Sequence, residues 1–301
     1  MATVGFIGLG TMGTPMASQL LDGEELVVFD LNPGAVNAMV ARGATAATSL
    51  SDLATRVDVA LLSLPGPSEV AATVSGPDGL LSVATPPSLI IDLTTNSVEV
   101  VKELHGVCAE AGVQFIDAPV SGGVAKAETG DLSVLVGGDD SAFGQAEPLL
   151  SKIGADVFHI GPISSGTIAK LVNNQIFLAG AALVQEAYVL AQKLGMEPTA
   201  LDGVLSASSA ATYNKMAPLL LGRRFEDVIF RLDIAAKDLA MVTEAAQSVE
   251  MDTPLTAAAS ELYQQSVEAG YGTEVFHATV KQLESQANIT LPPLKRNRPK
   301  K

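Results

Sequence analysis

Two glycine-rich turns, one lysine and a few carboxylates carry most of the chemistry that this sequence could perform. The first turn is Gly8-Leu9-Gly10-Thr11-Met12-Gly13, a G-x-G-x-x-G pattern that follows an apolar run over residues 3–7. A second apolar run, residues 26–29, ends on Asp30. In such a setting the first glycine makes a tight bend, the second lets the backbone approach a pyrophosphate, and the third lets a helix pack closely on a strand. The helix N-terminus then offers unpaired N–H groups and partial positive charge to the phosphates. Asp30 is placed to accept hydrogen bonds from the adenosine ribose hydroxyls, and its charge repels a 2′-phosphate. No arginine follows in Leu31-Asn32-Pro33, and Arg42 is distant in sequence. NAD is therefore expected in preference to NADP. The bland alternative is a βα turn that binds nothing.

The second turn is Asp117-Ala118-Pro119-Val120-Ser121-Gly122-Gly123, directly after an apolar run at residues 113–116. Ligands of open α/β sheets bind beyond the carboxyl ends of strands. There the Ser121 hydroxyl and the N–H groups of Gly122 and Gly123 can cradle an anion. A tight turn that needs small residues explains the same stretch equally well. The lysine is Lys170, spaced i, i+4 from Asn174 on a predicted helix and so on one face with it. Ile168, Leu171, Val172 and Ile176 surround it in sequence. Apolar surroundings disfavour the charged form of a lysine, which suits a group that gives and takes a proton. A lysine snorkelling to water is the ordinary alternative. Lys237 and Asp238 sit side by side on another predicted helix, about 100° apart, where a solvated charged edge accounts for them.

Five short apolar runs would have to position these groups: residues 4–7, 26–29, 57–64, 89–93 and 113–116. They alternate with helical stretches, as βα units do, and are continuous in the way of parallel strands buried on both faces. Two more strands are expected at 132–136 and 157–159, flanking a helix at 141–153. Beyond residue 161 the pattern becomes helical. Residues 164–194 form one segment of roughly 30 residues, or about 45 Å at ~1.5 Å per residue. Its centre, residues 176–184, is apolar on every side and so needs protein around it, in part from a dimer partner. The expected fold is α/β, with an N-terminal Rossmann-type doubly wound domain over residues 1–161. An all-α domain with a long central helix follows over residues 162–290, then a disordered basic tail over 291–301.

The chain has 301 residues and a formal net charge of −15, which argues against nucleic acid and anionic membrane surfaces as partners. Cys108 is the lone cysteine, so no internal disulfide can form and a reducing compartment fits. No targeting segment is visible, and the longest apolar run is far short of the ~20 residues that span a bilayer. A cytoplasmic protein is expected. His105, His159 and His277 lack ligand spacing, and neither a C-x-x-C nor an acidic cluster suggests a metal.

Taken together, residues 5–13, 117–123, 166–174 and Lys237-Asp238-Leu239 resemble, in order, the motifs of the β-hydroxyacid dehydrogenase family. That family includes 3-hydroxyisobutyrate dehydrogenase and tartronate semialdehyde reductase, with related domains in 6-phosphogluconate dehydrogenase. The likeness runs from residue 1 to about residue 288. It implies hydride transfer between NAD and a small 3-hydroxy carboxylate or its semialdehyde, with Lys170 as the general acid–base. It also implies that Ser121, Gly122 and Gly123 hold the substrate carboxylate, that Asn174 orients the substrate, and that Lys237 and Asp238 reach the cofactor–substrate cleft. Gly8, Leu9, Gly10, Thr11, Met12, Gly13, Asp30, Leu64 and Thr95 would meet the cofactor. The stretch Asp92-Leu93-Thr94-Thr95-Asn96-Ser97-Val98 departs from the family, where Ser-Thr and an early proline are usual, but keeps Thr95. A homodimer or homotetramer is expected. The variable end of the substrate would meet Met12, Val120, Phe230 and the second domain. The alternatives are reduction of tartronate semialdehyde to glycerate, imine reduction (which the lysine argues against), and an NAD sensor without turnover.

Overall fold

A computed structural model describes residues 3–293, so residues 294–301 of the expected tail lie outside the described part. Disorder from residue 291 is contradicted by Leu291, which is buried and donates its N–H to Glu284 Oε1 at 2.7 Å. The chain divides into two compact units, one up to Lys170 and one from Leu171.

The first unit alternates strand and helix. Its strands are β1 (Thr3–Ile7), β2 (Glu25–Phe29), β3 (Thr45–Ala46), β4 (Val59–Leu62), β5 (Leu89–Asp92), β6 (Gln114–Asp117), β7 (Val120–Ser121), β8 (Leu132–Gly137) and β9 (Gly154–Gly161). Its helices are α1 (Gly13–Leu20), α2 (Pro33–Val40), α3 (Leu50–Ala54), α4 (Pro67–Ser75), α5 (Val98–Glu110), α6 (Gly123–Thr129) and α7 (Asp140–Ile153). Local chemistry starts several of them. Asn32 accepts from the Gly34 N–H with Pro33 at the first helical position, and the Ser97 hydroxyl accepts from the Val100 N–H, which satisfies donors that a helix start leaves unpaired.

The strand order is β3-β2-β1-β4-β5-β6-β8-β7, with β9 beside β8. Every pairing from β3 to β6 is parallel, while β8 runs antiparallel to both β6 and β7. Both faces of the sheet are buried from β2 through β1, β4 and β5 to β6, while β3 and β9 are largely exposed. Val4, Phe6, Val28, Leu61 and Ile91 pack on one side, and Ile7, Val27, Leu62, Ile90 and Phe115 on the other. Each such side chain contributes about 1.5–3 kcal/mol by leaving water. This is why the strands read as unbroken apolar runs. Cys108 lies fully buried in the second of these cores.

One 29-residue helix, α8 (Ser165–Lys193), opens the helical part, followed by α9 (Pro198–Ser206), α10 (Ala217–Gly222), α11 (Leu232–Ser248), α12 (Pro254–Ser266) and α13 (Val280–Ala287). Among the described residues α8 is the one helix long and apolar enough to cross a bilayer by length and composition, a property that the short run 176–184 does not reveal. Its inner face belongs to a protein core. Leu178, Ala182 and Tyr188 pack with Leu220, Leu239 and Tyr263, and the buried Gln185 accepts a hydrogen bond from the Thr279 hydroxyl at 2.6 Å. The expectation of protein on every side fails for this chain by itself: Ile176, Leu183 and Leu190 are 67%, 66% and 57% exposed.

Candidate active site

Parallel pairing sets Phe29, Ile7, Leu62, Asp92 and Asp117 in one row across the sheet, each the last residue of its strand. The loops predicted to do chemistry in the first unit leave from this row. Backbone bonds tie them to it: Gly8 N–H to the Phe29 carbonyl (3.0 Å), Ser63 to Ile7 (2.9 Å), Leu93 to Leu62 (2.9 Å) and Ala118 to Asp92 (2.8 Å). The chain reverses its order between β1 and β4, the kind of switch point where doubly wound sheets bind ligands.

The glycines of residues 8–13 behave differently from one another. Gly8 has φ +92°, and a Cβ there would stand 2.2 Å from the Ser63 carbonyl oxygen. At Gly13 a Cβ would stand 1.9 Å from the Gly8 carbonyl oxygen, so α1 could not approach the turn as closely with any side chain. Gly10 is exposed, and a Cβ there would meet nothing within 4 Å. An exposed backbone at the mouth of a helix fits a pyrophosphate. Thr11 is exposed and Met12 half-buried beside it.

Asp30 has a part that the sequence did not announce. Its Oδ2 accepts the Leu9 N–H at 2.6 Å and its Oδ1 accepts the Asn32 N–H at 2.7 Å. The carboxylate therefore braces the glycine turn itself. Each oxygen keeps a second lone pair for a ligand hydroxyl.

Next along the row, Asp92 is fully buried, with Oδ1 accepting the Thr94 N–H at 3.0 Å and Oδ2 accepting from the Asn96 amide at 2.8 Å. The Thr94 hydroxyl accepts the Leu64 N–H at 3.0 Å, so one network shapes the loops that carry Leu64 and Thr95. Burial pushes the Asp92 carboxyl up to about 6, against the pull of those hydrogen bonds, and the neighbouring Asp117 charge adds to the rise. Asp117 is also raised by burial, while the N–H groups of Thr167 and Ser164 oppose that rise.

Ser121, expected in a loop, ends the two-residue strand β7, paired with Ser133 of β8. Gly122 and Gly123 follow at φ +135° and +74°, both exposed, and a Cβ on Gly123 would meet nothing within 4 Å. Lys170 is half-buried near the start of α8. In the second unit Asn174 and Asp238 are 3% and 1% exposed. The Asn174 amide donates to Asp238 Oδ2 at 2.7 Å, and Lys237 Nζ lies 3.1 Å from Asp238 Oδ1. The solvated edge expected for Lys237 and Asp238 is therefore half wrong. The Asp238 carboxylate points inward because an amide and an ammonium meet it there.

Asp92, Asn96 and the bonds made by Asp117 escaped the sequence reading. One signal was present: an acid closes two successive apolar runs, Ile90-Ile91-Asp92 and Phe115-Ile116-Asp117.

Comparison with known proteins covers both units. Residues 3–161 match the NAD binding domain of 6-phosphogluconate dehydrogenase. Residues 164–283 match a family described as the NAD-binding region of NADP-dependent 3-hydroxyisobutyrate dehydrogenase. The chain is 34% identical over 292 residues to 2-(hydroxymethyl)glutarate dehydrogenase of Eubacterium barkeri, covering 96% of this chain and 97% of that one. It is 36% identical over 290 residues to an NAD-dependent L-serine dehydrogenase of Pseudomonas aeruginosa, covering 93% and 97%. Among solved structures, 3-hydroxyisobutyrate dehydrogenase of Mycobacterium tuberculosis with L-serine superposes with a TM-score of 0.84 at 29% identity. That match covers 94% of this chain and 99% of the other.

Proposed function

Since the chain belongs to the β-hydroxyacid dehydrogenase family, we propose that it oxidises a 2-substituted 3-hydroxypropanoate to the semialdehyde, and reduces it in reverse, using NAD. By their names, the relatives reported above act on L-serine, 3-hydroxyisobutyrate and 2-(hydroxymethyl)glutarate. All three compounds share one skeleton, a hydroxymethyl group on the carbon next to a carboxylate. They differ only in the third substituent.

NAD, when bound, supplies the acceptor for the hydride of the carbinol carbon, and the fit rests on the open backbone at Gly10. Residues 8–13 would hold the pyrophosphate, Asp30 the ribose hydroxyls, and Leu64 and Thr95 the nicotinamide end. Lys170 takes the hydroxyl proton during oxidation and returns it during reduction. The Ser121 hydroxyl and the Gly122 and Gly123 N–H groups bind the carboxylate, and Asn174 orients the substrate. Lys237 and Asp238 complete the assignment. The protein contributes position and proton transfer, and it keeps water from the reacting carbon.

The choice of NAD rests on Asp30. It carries the charge that a 2′-phosphate would meet, while Arg42 lies past the far end of α2, about 12 Å along an eight-residue helix. A second copy of the chain would cover the outer face of α8, where Ile176, Leu183 and Leu190 recur every seven residues and lie more than half exposed. A cytoplasmic location fits the free, buried Cys108.

The observation that carries the reading is the common row of strand ends, from which the glycine turn, the Thr95 loop and the Ser121 turn all depart. The test is Lys170→Ala. Its kcat should fall by about 10²–10⁴, the usual range for a general acid–base, with NADH affinity intact by fluorescence titration. Turnover close to wild type would remove Lys170 from the mechanism. A panel of the three acids with NAD and NADP, and of tartronate semialdehyde with NADH and NADPH, tests the substrate and the cofactor.

A further inference from the structure

β6 ends on Asp117, and its carboxylate is committed to one distant stretch of backbone. Oδ1 accepts the Ser164 N–H at 2.8 Å and Oδ2 accepts the Thr167 N–H at 2.6 Å. The group is 1% exposed. Both donors flank or belong to the first turn of α8, where N–H groups have no partner within the helix. An acceptor that is charged and buried there also opposes the positive end of the helix dipole.

Three further details show that this junction tolerates little displacement. Ser164, buried just before the helix, holds φ +75°, a left-handed conformation that costs a non-glycine residue about 1 kcal/mol or more. At Gly137 a Cβ would stand 2.5 Å from Asp117 Oδ1 and 2.8 Å from the Ser165 nitrogen. At Gly166 a Cβ would stand 2.0 Å from the Leu135 carbonyl oxygen. The start of the helix is thus pressed on β8 and pinned by β6. Lys170 follows Thr167 by three residues, which puts the two on the same face of the helix.

We propose that Asp117 is a positioning residue for Lys170: by holding the Ser164 and Thr167 N–H groups it fixes the height and rotation of the first turn of α8, and with them the place of the ammonium. The inference rests on the reading of Lys170 as the acid–base. A continuous helix passes a rotation of its first turn on to the next, and the end of a long lysine side chain, far from the axis, is displaced more than the backbone that carries it. Asparagine at position 117 has a single carbonyl oxygen and turns an N–H toward one of the two donors, breaking one of the two bonds.

The test is a double-mutant cycle on the panel member with the largest kcat/KM. Asp117→Asn alone should lower kcat by about 10–100-fold, the cost of a misplacement near 1 Å, with substrate KM and NADH Kd changed less than about two-fold. In the Lys170→Ala background the same change should alter the residual kcat by less than about three-fold, because the group it positions is gone. Equal losses in both backgrounds would make Asp117 a purely structural residue and overturn the proposal. If Lys170→Ala turns over normally, the acid–base reading fails by itself, before Asp117 is touched. Hydrogen exchange of the enzyme without substrate gives an independent readout. Asp117→Asn should deprotect the amides of residues 164–170, and unchanged protection there overturns the anchoring. Gly166→Ala, which leaves Asp117 intact but pushes the turn off Leu135, should reproduce the kcat loss and serves if Asp117→Asn does not fold.

Discussion

Asp30→Ala tests whether one carboxylate serves both the protein and the ligand. The Leu9 residue whose N–H it accepts is only 4% exposed, so that donor finds no water when the carboxylate leaves. A buried donor without a partner costs about 1–3 kcal/mol. The Asn32 N–H is exposed, and water replaces its bond at almost no cost. Losing the hydrogen bonds to the ribose adds about 1.5–3 kcal/mol, the usual range for a charged acceptor. The sum is about 2.5–6 kcal/mol, or roughly 10²–10⁴ in Kd for NADH. The ribose loss alone would give only about 10–150-fold, so the excess measures the loosened glycine turn. NADH titration by fluorescence or calorimetry reads it, alongside NADPH. Asp30→Asn should fall between, since its one carbonyl can still serve Leu9, and should bind NADPH more tightly than wild type does. An Asp30→Ala enzyme that binds NADH within about three-fold of wild type would refute both roles.

His277 is buried with neither ring nitrogen hydrogen-bonded among the described residues, and burial pulls its pKa down to about 4. The unfolded chain protonates it near 6.5 and the folded protein does not, so the stability it allows is full above 6.5 and is lost as pH falls toward 4, by up to about 3 kcal/mol. The difference in melting temperature between wild type and His277→Leu should therefore change across pH 6.5 to 4, and a constant difference would sink the argument. Gly13→Ala forces α1 off the Gly8 carbonyl; a loss of about 1–3 kcal/mol of stability is expected in thermal melts, together with weaker NADH binding, and a neutral outcome refutes the close approach. Leu183→Glu should lower the mass measured by light scattering, because a charge cannot stay buried in the proposed seam without a partner; an unchanged oligomer places the interface elsewhere.

The sequence revealed elements better than it revealed their partners. The apolar runs at 4–7, 26–29, 57–64, 89–93 and 113–116 match β1, β2, β4, β5 and β6 to within about two residues at each end, because a strand buried on both faces has no other composition open to it. β3 and β7 are two residues long, too short for any period to register. The antiparallel setting of β8 follows from the tight return through β7 and α6, and the run at 132–136 carries no mark of direction. The site divides the same way. Gly8, Gly13 and Asp30 were legible because their spacing is local. Asp238 meets Asn174 across 64 residues of chain and Asp117 meets Thr167 across 50, and no local pattern encodes such a meeting.

The in-register carboxylates at the ends of β5 and β6 also set how many protons the protein exchanges as it folds. At pH 5 the folded protein retains a proton on Asp92 that the unfolded chain has largely given up, so this site takes up nearly one proton on folding. His277 does the reverse over the same range, releasing nearly one. The two exchanges oppose one another between about pH 4 and 6. The opposition arises from two burials, a carboxyl at the end of β5 and an imidazole in the helical core. Removing either one alone would expose the pH dependence of the other.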